Sequence, residues 1–114
     1  VTMLQVQLIL RVWKLTKIGN QVTLTLPAVT GTAAGTNVNF VLGETIPAAY
    51  RPSADLGFYC LAVKNNGASS VAPGFALVRS DGIIIIYRDT SGIAVWTTGT
   101  SVGLEYPIGV SWTI

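Results

Sequence analysis

No stretch of ten residues in this chain repeats its apolar side chains every 3.6 positions. Short apolar runs instead alternate in steps of two and are cut by glycine, proline, Asn-Gly and Asp-Gly. A helix needs the first pattern to bury a stripe, and a strand needs the second to bury a face. The chain is thereby restricted to strands and turns. Leu4, Val6, Leu8, Leu10 and Val12 alternate with Gln5, Gln7 and Arg11, which predicts a long strand with one buried face. The parity flips at Trp13 and Leu15, and a flip requires a bulge, a bend or a break, placed here near Val12 and Trp13.

Gly19-Asn20 separates that strand from the alternating run Gln21 to Leu26 and predicts a hairpin, which Pro27 ends. Thr30 to Asn37 lacks any large apolar residue and reads as an exposed loop, after which Val38, Phe40 and Leu42 resume the alternation. Pro47 and Pro52 push Ile46 and Arg51 towards extended conformations, so residues 46–53 are expected to cross the domain as an irregular plug, with Arg51 bonding loop carbonyls. Leu56 to Lys64 is apolar on both parities and reads as a strand covered on both faces, closed by the turn residues Asn65-Asn66-Gly67. Ser80-Asp81-Gly82 joins Phe75–Arg79 to Ile83–Tyr87 in a second hairpin. Ile93–Trp96 and Val110–Ile114 supply further strands.

About eight such strands indicate an all-β domain, and a jelly-roll-like antiparallel β-sandwich suits the length. The four isoleucines Ile83 to Ile86 point both ways from one strand. One face is expected to meet the opposite sheet and the other a neighbouring subunit.

The 114 residues fit one domain over 1–114. Only 11% are charged, against about 25% in ordinary soluble domains. The wetted surface must then rest on Thr, Ser, Asn and Gly, and an oligomer is expected to cover part of the apolar remainder. The net charge of +2 comes from scattered Lys and Arg with no run to track a phosphate backbone, so nucleic acid is not an expected partner. No apolar run approaches the roughly 20 residues of a membrane span, and no membrane insertion is expected. The start has no secretory-leader pattern and opens directly in a strand, as a fragment of a longer protein would. Lone Cys60 reads as a buried small hydrophobe.

With no histidine, the common proton shuttle and most zinc or copper sites are missing. Neither a catalytic residue nor a metal or other cofactor is expected. Asp81 and Asp89 sit where short acceptors satisfy turn amides, and Glu44, Asp55 and Glu105 are isolated. Asn65 and Asn66 are read as turn residues, and Trp13 and Trp112 as core or subunit-interface residues. Trp96 enters the loop Thr97-Thr98-Gly99-Thr100 and is expected at the surface. With Tyr87, Arg88 and Tyr106 it forms the candidate ligand set.

Gly19 to Pro27, Thr30-Gly31-Thr32, residues 46–53, Leu61 to Gly67, Ser80 to Asp89 and the terminal Ser111 to Ile114 together resemble fibre-head, or receptor-binding tip, domains of tailed bacteriophages and large DNA viruses. The resemblance covers residues 17–114. Residues 1–16 fall outside it and read either as a strand of the head or as a junction to an upstream fibre shaft. The resemblance implies a homotrimer at the virion surface that attaches to a host cell-surface glycan or protein without catalysis. A purely structural virion component, such as a capsid decoration or fibre-capping trimerisation domain, is the alternative, and a tip domain hydrolysing surface polysaccharide is a third.

Overall fold

The computed structural model describes residues 5–9, 13–32, 38–70 and 72–114, with only the main chain described for 5–9 and Cys60. The described residues are all-β, with one 3-10 turn at Ala48–Tyr50. They form three antiparallel sheets of four strands. The first has the order β1-β2-β3-β12, made of Gln5–Ile9, Lys14–Ile18, Gln21–Leu26 and Ile108–Thr113. The second runs β5-β10-β9-β6, from Phe40–Val41, Ile84–Tyr87, Gly74–Val78 and Leu56–Leu61. The third runs β4-β11-β7-β8, from Val29–Thr32, Ser101–Leu104, Val63–Asn65 and Ala68–Ser69.

Alternation decides which face each strand buries. In β3, Val22, Leu24 and Leu26 are fully buried while Gln21 and Thr25 are exposed. Their partners Trp112, Val110 and Ile108 in β12 lie on the same face. One continuous apolar cluster joins these to Val78, Ile84 and Ile86 of the second sheet and to Val63, Val102 and Leu104 of the third. The outward face of the first sheet carries hydroxyls, with Thr23 and Ser111 3.3 Å apart.

The expected turns form where turn chemistry placed them, and the one at Asn66-Gly67 closes a hairpin whose second strand, β8, was not expected. Lys64↔Ser69 and Asn65↔Ala68 pair around Asn66-Gly67, both at positive φ (55° and 73°), as a type I′ turn requires. Arg79 N–H donates to Ile83 O (2.9 Å) across Ser80-Asp81-Gly82, and Gly82 has φ 90°. The plug is held as expected. Arg51 Nε donates to Ile46 O at 2.7 Å, and Ile46 is fully buried.

Several expectations need correction. The parity flip is a full reversal, because β1 pairs antiparallel with β2 from Gln5↔Ile18 to Ile9↔Lys14; Leu4, Leu10 and Val12 lie outside the described residues. Thr30-Gly31-Thr32 is not loop but part of β4, paired with β11, while 33–37 are not described. Leu56 to Lys64 is two strands in two sheets, separated at Ala62 after a register shift between Tyr59 and Leu61. Its outer face is open in the single chain, where Tyr59 is 60% exposed. The isoleucine run is covered by its own chain. Ile85 is 5% exposed, flanked in the sheet by Val41 and Leu77, so this run calls for no neighbouring subunit. The burial expected for Cys60 falls on an undescribed side chain.

Candidate functional site

Ile93–Trp96 is not a strand, and the reason defines the site. Main-chain groups of this segment and of Gly92 before it are bonded by side chains rather than by a neighbouring ladder. Asp89 Oδ1 accepts from Gly92 N–H (3.1 Å) and Ala94 N–H (3.4 Å), and Asp89 Oδ2 accepts from Ser91 Oγ (2.7 Å). Arg88 Nη1 donates to Val95 O at 2.7 Å. Asn65 completes the arrangement from β7. Its Nδ2 donates to Thr97 Oγ1 and its Oδ1 accepts from Thr97 N–H, both at 2.9 Å. Asn65 is the buried polar residue of the described chain, and this two-point clasp satisfies it.

Between the β7–β8 hairpin and this loop lies an open cleft of about 490 Å³, lined by Asn65, Ser69, Ser70, Arg88, Asp89 and two alanines, Ala72 and Ala94. The lining offers hydroxyl, amide, carboxylate and guanidinium groups against small apolar patches. Only one Arg88 N–H is committed to a described partner, so the rest of its planar fork is available to an acceptor. Asp89 is ionised at lower pH than an ordinary aspartate, chiefly because Ser91 donates to it; desolvation opposes this, and the amides of Ala94, Gly92 and Ile93 add to the lowering. Ser69 Oγ donates to Glu105 Oε1, which ties the rim of the cleft to the segment before β12.

The four residues of the sequence-derived ligand set do not converge. Arg88 lines the cleft. Tyr106 follows Glu105 and is 61% exposed, but does not line the cleft. Tyr87 points to the outer face of the second sheet, where it packs edge-on against Phe75 (5.4 Å), which packs in turn against Tyr59 (4.8 Å). Trp96 must be removed from the set. It is 2% exposed in the core, edge-on to Phe40 at 6.3 Å, because the side-chain clasps on either side draw the segment inward. Asp81 and Asp89 both do turn work, Asp81 by pairing with Arg79 (2.8 Å) and accepting from Ile83 N–H (3.2 Å).

Sequence reasoning missed the cleft's main organiser, Asn65, whose neighbour Asn66 alone supplies the left-handed turn residue. No local signal announces a partner 32 positions away. No group of three or more potential metal ligands occurs among the described residues, and no described helix is long and apolar enough to cross a membrane. Compared with known proteins, no family model and no curated protein matches the chain.

Proposed function

We propose that this chain is a non-enzymatic head domain of a viral or phage fibre or spike, a jelly-roll-like β-sandwich assembled as a homotrimer at the virion surface, which binds a host glycan in the cleft between the β7–β8 hairpin and residues 88–94. The observation that carries the binding role is the lining of the cleft: hydroxyls, one amide, one carboxylate and an underused guanidinium around a volume fit for one or two sugar rings. Weak sites repeated on a rigid trimer gain strength from effective concentration. The resemblance of residues 17–114 to fibre heads supplies the setting.

The test is a glycan array read against Ala72→Trp, which fills the cleft without removing a described hydrogen bond. Binding abolished by this change, with melting temperature and oligomer mass unchanged, supports the reading. Binding that survives it, or an array with no hits, defeats the glycan role. Light scattering at micromolar concentration is expected to give the mass of three chains.

One observation favours the purely structural alternative. The outer face of the second sheet carries Tyr59, Phe75, Tyr87, Val41 and Leu77 with no charged residue among them, and Val41 and Tyr59 are both more than half exposed. A face of this kind suits packing against another virion subunit.

A further inference from the structure

Of the five asparagines in the chain, one alone is followed by glycine. That pair, Asn66-Gly67, forms the exposed tip of the β7–β8 hairpin. Adjacent Asn65 is buried, and both ends of its amide are clasped to Thr97. Asn66 makes no side-chain hydrogen bond among the described residues. A free side-chain amide followed by glycine is the arrangement in which an asparagine reacts with its own main chain. Gly67 has no Cβ to obstruct the approach of its nitrogen to Asn66 Cγ, whereas Gln21, Val38, Phe40 and Asn66 follow the other four asparagines. The turn Asp81-Gly82 has the same outline but not the same chemistry. Its carboxylate accepts from Arg79 Nη2 (2.8 Å) and Ile83 N–H (3.2 Å), and its Gly82 N–H donates to Arg79 O (3.0 Å).

One contact restrains Asn66-Gly67. Gly67 N–H donates to Ser101 O, at the first residue of β11, over 3.1 Å. The proton that must leave before the nitrogen can attack is shielded there by a carbonyl. Opening that single bond at a solvent-exposed hairpin tip releases it. Gly67 N then attacks Asn66 Cγ. The N–Cγ bond forms, the Cγ–Nδ2 bond breaks, and Nδ2 departs as ammonia with the proton of the Gly67 amide. Water opens the resulting cyclic imide. Addition at Cγ breaks the new bond and leaves aspartate; addition at the Asn66 main-chain carbonyl breaks the original peptide bond and leaves the chain running through Cγ, an isoaspartyl residue with an extra main-chain atom.

We propose that Asn66 is a site of spontaneous deamidation, released by opening of the Gly67–Ser101 bond, and that its isoaspartyl product detaches β8 from the third sheet. A two-residue turn fixes the register of its hairpin, so a lengthened main chain at Asn66 spoils Lys64↔Ser69 and Asn65↔Ala68 together. β8 is an exposed edge of two residues and has little else to hold it, namely Ser70 N–H on Val63 O and Ser69 Oγ on Glu105 Oε1. The proposal stands whether or not the neighbouring cleft binds a glycan.

The test is ageing of the whole chain in warm, mildly alkaline buffer, followed by peptide mapping and isoaspartyl-specific methylation. Asn66 is expected to gain the mass of an amide exchanged for an acid before any other asparagine does. The capped peptide spanning residues 63–69 lacks the Ser101 bond and is expected to react about threefold to tenfold faster, the weight of one main-chain hydrogen bond. In the aged protein the amide signals of Lys64, Asn65, Ala68 and Ser69 should shift in proportion to isoaspartate. Asn66→Gly keeps a turn residue that accepts positive φ and should age without change. Asn66→Asp carries the new charge on an unlengthened main chain and should keep β8 paired. Conversion of another asparagine first, or a folded chain that reacts as fast as the peptide, overturns the proposal. So do isoaspartate at Asn66 with the β8 signals unmoved, and loss of β8 in freshly made Asn66→Asp.

Discussion

Trp96 and Asn65 reverse the roles their neighbourhoods suggest. The indole sits in a Thr- and Gly-rich surround yet packs in the core, and the asparagine beside a turn holds a loop rather than making the turn. Trp96→Ala should lower stability by about 3–5 kcal/mol, as for other large core truncations, read as a denaturant midpoint shift with unchanged slope. Asn65→Ala leaves Thr97 N–H without its partner and should cost about 1–3 kcal/mol. Asp89 gives the residue scale a pH signature. Its carboxyl ionises at lower pH in the folded chain than in the unfolded one, so its contribution is complete above the ordinary aspartate value near pH ~4 and is lost as pH falls through the lower folded value. The amides of Gly92 and Ala94 should titrate together below the ordinary aspartate midpoint in nuclear magnetic resonance spectra, and Asp89→Asn should abolish that transition.

At the scale of elements, β11 depends on a glycine. Gly103 adopts φ 138°, and a side chain there would press on Val29 O and on Thr30 Cα at 3.0 Å from the paired β4. Gly103→Ala should therefore destabilise by more than the roughly 1 kcal/mol of an ordinary glycine replacement, with the loss concentrated in amide protection of β4 and β11. The elements also show what could be read in advance. Hairpins at Gly19-Asn20 and Ser80-Asp81-Gly82 and the turn at Asn66-Gly67 were legible because turn chemistry is local. The division of 56–64 between two sheets was not, because both strands are apolar and only distant partners, β9 for one and β11 for the other, distinguish them. Ile93–Trp96 looked like a strand for the same reason, its apolar pattern being blind to the side chains of Asn65, Arg88 and Asp89 that bind its backbone instead. In the ligand set only Arg88 reached the cleft, since strand alternation sends adjacent Tyr87 to the opposite face.

On the scale of the whole molecule the chain is elongated, 50 × 23 × 22 Å, with apolar contacts from three sheets meeting in one cluster. Charge contributes little to holding it together. Among the described residues there is a single ion pair, Arg79 with Asp81, and both side chains are more than 40% exposed. Such a pair is worth about 0–1 kcal/mol before salt weakens it further. The melting temperature should move by no more than a few degrees between about 10 mM and 1 M sodium chloride, since the Debye length changes tenfold over that range while the apolar contacts remain; a large fall would show that undetected charge networks sustain the fold. The sparse charge noted in the sequence thus has an ecological reading. A fold held this way should keep its shape in fresh water and in brine alike, so that the salinity of its surroundings acts on what the domain meets rather than on whether it stays folded.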